Sequence, residues 1–139
     1  MEFKDAFRYY LNTSGLSFSQ RVYHRRAPER SAVPYLVFSE MAPRPIHGQE
    51  GGSNTIQRSV QCSIFTGGTS STAGGGGQDE AASLADQLRR LLDGFKGLMG
   101  PTGNTCNVRS VLWERQFYNY EPDTKLHMEA VDFRFQWYE

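Results

Sequence analysis

Lysine is absent from the whole stretch GGTSSTAGGGGQDEAASLADQLRRLLD, Gly67 to Asp93, and that absence decides how its glycine-rich start is read. A phosphate-cradling loop of the form G-x-x-x-x-G-K-[ST] needs the lysine for charge and the hydroxyl to hold magnesium. The dinucleotide pattern G-x-G-x-x-G fails as well, because Asp79 or Glu80 stands where the third glycine belongs. Stripped of nucleotide chemistry, residues 67–77 are a Gly/Ser/Thr/Ala run without the apolar side chains needed to pack, and are expected to be a flexible connector.

Net charge is missing too. Fifteen Lys and Arg balance fifteen Asp and Glu, so no global field draws the protein toward nucleic acid or a membrane. No apolar run approaches the roughly 18 residues of a membrane span. The N-terminal MEFKDAFRYYLNTSGL has neither the basic start nor the apolar block of a signal peptide. Cysteine is scarce: Cys62 and Cys106 lack C-x-x-C spacing, and reduced thiols in a cytoplasmic product are expected rather than a disulfide.

Catalytic patterns are equally thin. His24, His47 and His127 are scattered without a cysteine, carboxylate or second histidine at metal-ligand spacing, and are expected at the surface. No G-x-S-x-G elbow presents a serine. The carboxylates fall mostly in loops and helix starts, where solvation and capping account for them. The expectation is a protein that is not an enzyme and takes no cofactor or metal. The basic run HRRAPER (His24 to Arg30) lacks the interleaved aromatic residues of single-strand binders, so it reads as solvated. Strand packing accounts better than base stacking for Tyr118 and Tyr120.

What is present describes one α+β domain spanning 1–139. Phe3, Ala6, Phe7, Tyr10 and Leu11 keep helical spacing over 2–12. Ala81, Leu84, Ala85, Leu88, Leu91 and Leu92 do so in a second helix, with Asp79 placed to cap its start and Gly94 to end it. FSQRVY predicts a short extended piece, YLVFSEM a strand, and IQRSVQCSIFT a half-buried strand with Val60, Cys62 and Ile64 on one side. NVRSVLWERQFYNY and LHMEAVDFRFQWY follow as strands joined by EPDT, with Val131, Phe133, Phe135 and Trp137 on one face of the last. This order favours a mainly antiparallel β-sheet packed against two α-helices.

Between the second and third strands, Ala42 to Thr55 is too long and too rich in Gly and Pro for a tight turn. It is expected to be a long inter-strand loop. Its Arg44, Ile46, His47, Gln49 and Glu50 are the candidate contacts to a neighbouring subunit or partner; solvated slack is the alternative.

Several stretches, in order, resemble one family: the tail-terminator or tail-completion proteins of long-tailed bacteriophages. An N-terminal amphipathic helix is followed by RVYHRRAPERSAVPYLVFSEM, with Ala27, Pro28, Pro34, Tyr35 and Val37 in the shared positions. HGQEG and RSVQCSIFT come next, then the helix through Glu80, Ala81, Leu84, Ala85, Leu88, Arg89 and Leu92, and a close with Tyr120, Glu121, Asp132 and Phe133. The link GGTSSTAGGGG is longer than is usual for that family. The resemblance implies a ring-forming subunit, usually of six copies, that caps the head-proximal end of the tail tube. Such a ring stops tube growth and offers the surface for head–tail joining. Implied partners are further copies of the chain, the tube protein and the head–tail connector, with DNA only passing through the ring. The implied location is the virion's head–tail junction, and the host cytoplasm during assembly. A head-side stopper or adaptor, or the tube protein itself, shares much of this profile; a nucleic-acid-binding module fits the neutral charge less well.

Overall fold

The computed structural model describes residues 2–29, 31–42, 44–48, 51–67 and 77–138, and only the backbone at 44–48 and 51–54. The elements in chain order are α1 (Phe3–Asn12), β1 (Val22–His24), β2 (Tyr35–Glu40), β3 (Arg44–Gly48), β4 (Gly51–Thr66), α2 (Gln78–Leu92), β5 (Gly97–Met99), β6 (Cys106–Glu121) and β7 (Leu126–Tyr138).

Both helices form where the apolar spacing predicts. Phe3, Ala6, Phe7 and Leu11 of α1 are buried, as are Ala81, Leu84, Ala85, Leu88 and Leu92 of α2. The start of α2 differs from expectation. Gly77, with φ of 80°, is the residue before the first turn and offers no side-chain cap, while Asp79 lies one residue inside the helix. There its carboxylate, with that of Glu80, suits the positive end of the helix dipole without bonding an amide. At the other end Gly94 takes the left-handed conformation (φ 82°) that only glycine adopts freely.

The strands form one mixed, curled sheet in the order β1-β2-β4-β7-β6-β5, with β3 also paired to β4. β1 runs parallel to β2 and the other five pairings are antiparallel. Two strands depart from the reading of the sequence. The extended piece is only Val22–His24, because residues 17–20 turn, and Gly97–Met99 adds a short strand that three residues could not announce.

The larger correction concerns Ala42 to Thr55. It is not an open loop but most of a β-hairpin: Arg44 faces Gln57, Pro45 faces Ile56, His47 faces Gly52, and Gly48 faces Gly51, with the register shifting between Pro45 and His47. Gly and Pro had hidden the strands. Here they serve a hairpin whose ladder is irregular, where Pro is tolerated on an outer strand.

The core lies between the helices and one face of the sheet. Leu36 and Phe38, then Val60, Cys62 and Ile64, then Val131, Phe133 and Phe135 are fully buried in it. Phe3 stacks on Trp137 (4.5 Å) and Phe7 meets Phe38 and Phe135 edge-on (4.9 and 5.2 Å). α2 lies across β7, β4 and β6. Its 15 residues span roughly 22 Å, whereas the 16-residue strands β4 and β6 run to roughly 50 Å. The helices therefore cannot cover the whole sheet.

Candidate assembly surfaces

The geometry offers two depressions, one on each face of the sheet, and a cluster of charged side chains at its rim. Alternation along β2 puts Glu40 on the same side as Leu36 and Phe38, and alternation along β4 puts Arg58 on the side of Val60 and Cys62. Both charged side chains are thus driven toward the core at the rim of the sheet. Glu40, 5% exposed, accepts a 2.7 Å hydrogen bond from His24 Nε2. The same oxygen lies 3.5 Å from Arg25 and 3.9 Å from Arg58. The Arg58 guanidinium also sits 5.8 Å over the Trp137 ring. His24 is therefore not the free surface histidine expected; its side chain is only 15% exposed. This cluster lines a depression of about 1030 Å³ together with Lys4, Asn107 and Tyr138. It also stands at the root of the β3–β4 hairpin, since β2 ends at Glu40 and β3 begins at Arg44.

Among the described residues, the opposite face of the sheet carries no helix. At its centre, around Ser59, Glu114 and Asp132, the side chains are polar and tied to one another. Arg115 Nε donates to Asp132 Oδ2 (2.5 Å), Arg134 to Glu114 Oε2 (3.0 Å) and Ser59 Oγ to Glu114 Oε1 (3.3 Å). Asp132 is buried, and the charge it presents helps burial hold the Cys62 thiol well above its ordinary range. The hydrogen bond from Arg115 to Asp132 raises the Arg115 pKa further. A second depression of about 860 Å³ runs across this face from Arg26 and Glu29 to Glu121 at the β6–β7 turn, floored by Tyr35, Val37 and Phe65. The Tyr35 phenol is pushed upward by burial, then by Glu121 and Tyr23.

The five candidate contacts separate. Arg44, Ile46 and His47 lie on β3, while Gln49 and Glu50 lie outside the described residues. The connector 68–76 lies outside them too. Its two ends are joined, however: Gly77 N–H donates to Gly67 C=O (3.1 Å) and Thr66 Oγ1 to Gly77 C=O (2.7 Å). Among the described residues, no three His, Cys, Asp or Glu side chains meet in a group able to hold a metal ion. The reading of the sequence missed the Glu40 cluster, although a signal existed: charged residues on the apolar parity of β2 and β4.

These features describe a helix-backed sheet whose strands extend past its core. A family model described as "Tail completion protein gp17" matches residues 11–138, and the chain belongs to that family, whose proteins are structural components of the bacteriophage tail. Among solved structures, a chain of the "Virion of native gene transfer agent (GTA) particle" superposes with a TM-score of 0.64. The alignment covers 87% of this chain and 81% of that one at 13% identity, so the likeness concerns the fold. No curated protein matches.

Proposed function

We propose that this protein ends the tail tube: six copies form a ring on its head-proximal end, stop its elongation and present the surface to which the filled head docks. Membership of the tail-completion family over residues 11–138 is the observation that carries this reading. The mechanism is steric and interfacial, needing no cofactor, and DNA passes through the ring's opening during ejection. The head–tail junction is then the working location, and the host cytoplasm the place of assembly.

Within that ring the β3–β4 hairpin acts as an arm. Arg44, Ile46 and His47 on β3, with Gln49 and Glu50 beyond it, contact a neighbouring copy or the last ring of the tube. Contact energy offsets the ordering of those side chains. A double change of Ile46 and Glu50 leaves the monomer folded and weakens ring assembly or capping. The assay is tail length and head joining in a phage deprived of its own copy of the gene, with binding to isolated tubes measured beside binding to portal-bearing heads. Tails of normal length with full infectivity would remove the arm from the mechanism. Binding to heads but not tubes would make the protein a head-side stopper or adaptor instead.

A further inference from the structure

β6 outlasts its outer neighbour. β5 pairs only with Cys106–Val108. A little further on, Gly94 N–H donates to Val111 C=O (2.8 Å) and Trp113 N–H to Asp93 Oδ1 (2.9 Å). Beyond Trp113, no strand among the described residues pairs with that side of β6. Those two bonds establish that Val111 and Trp113 turn their backbone polar groups away from β7. Antiparallel alternation, stepped by the extra residue Glu114 at the bulge, carries the same outward orientation to Gln116, Tyr118 and Tyr120.

An open edge is normally blunted by lysine, proline, a bulge or inward charge, because its unpaired groups otherwise recruit another strand. The segment QFYNY, 116–120, holds no charge, no proline and no glycine. It exposes Phe117 (44%), Tyr118 (37%) and Tyr120 (41%). This is an edge left ready for pairing.

We infer that the β3–β4 hairpin of a second copy of this chain completes this edge, so that one sheet continues from subunit to subunit; this rests on the ring reading above. A closed ring of identical chains needs two different, complementary surfaces on each subunit, on opposite sides of it. The arm meets that requirement. β3 lies on the far side of β4 with β7 intervening before β6. It pairs with Ile56 and Gln57 at one end of β4, whereas the open part of β6 faces His127–Val131, which pair with Cys62–Thr66 at the other. Donor and receptor therefore occupy diagonal corners of one sheet. Gly51–Asn54 of β4 run on past Thr55, the last residue opposite β7 among those described, so the arm projects beyond its own sheet. β1, on the arm's side of the sheet, is three residues long and has α1 packed against it. Pro45 deprives β3 of one backbone donor, which disfavours pairing between two arms and favours a partner strand with all its donors intact.

The test uses the full chain and two independent measurements. Tyr118→Pro removes an outward N–H from an edge strand, where proline is tolerated. Tyr118→Phe removes only the hydroxyl that meets His127 Nδ1 at 2.6 Å. Native mass spectrometry over a concentration series is expected to show rings for the wild type and Tyr118→Phe, and assembly weakened by at least about tenfold for Tyr118→Pro, the scale of one lost interfacial hydrogen bond. The second measurement pairs Ile46→Cys with Gln116→Cys, Tyr118→Cys or Tyr120→Cys. Oxidation should join subunits into a disulfide ladder in at least one pairing. Wild-type rings that persist unchanged in Tyr118→Pro, or that yield no inter-subunit disulfide in any pairing, overturn this inference and leave the ring reading standing. A wild type that never assembles, alone or on tubes, overturns both.

Discussion

Phe133 is where the core is most severely tested. It is 0% exposed, faces Val60 on β4 and Trp113 on β6, and lies beneath α2 at the centre of the sheet. Truncation to alanine removes the ring from contact with both strands and the helix. Returning a fully buried phenylalanine's area to water accounts for about 1.5–3 kcal/mol. Neighbouring strands held by their own ladders collapse little into the space, and the cavity brings the total to about 3–5 kcal/mol. In urea the midpoint should fall with unchanged slope, and the thermal midpoint should drop by roughly 10–20 °C. Phe117→Ala on the same sheet is the internal control: its ring is 44% exposed on the helix-free face, so the loss should stay under about 1 kcal/mol. A Phe133→Ala loss under about 1 kcal/mol, or equal losses at both positions, would refute the assignment of the faces.

Replacing 68–76 by a short Gly/Ser link should change stability by less than about 1 kcal/mol, because loop-closure entropy varies slowly with length and the ends are already bonded at Gly67 and Gly77. Isothermal titration of the parent protein should find no nucleotide affinity for the link to abolish. Glu40→Ala should lower the urea midpoint by the equivalent of about 1–3 kcal/mol, since it strands His24 and Arg58 against the core without their carboxylate. The Cys62 thiol is held protonated by burial in the folded chain, so the unfolded chain releases its proton first. Stability should be complete below about pH 8.5 and fall above it, by at most about 1.4 kcal/mol per pH unit from this group. Urea midpoints of wild type and Cys62→Ala between pH 7.5 and 9.5 check this, and identical slopes would refute it.

Both helices, the buried parity of β4 and β7, and the turn at Glu121–Thr124 were legible because each follows from local periodicity or turn chemistry. Residues such as Leu84, Leu88, Phe133 and Phe135 can share a face in only one way. The sequence by itself also determined that no phosphate loop, zinc spacing or nucleophile elbow is present, since those depend on residue types at short range. Other features depend on partners distant in the chain. Arg44–Gly48 is a strand because Ile56 and Gln57 lie opposite it, and no periodicity survives in a segment of Pro and Gly to say so. Glu40 finds His24 and Arg58 only once β2 lies beside β1 and β4. The open edge of β6 exists because β5 reaches no further along it than Gly97, the partner of Val108. Only tertiary structure decides which strand ends have neighbours, because strand pairing joins residues far apart in sequence while side-chain alternation is written within each strand.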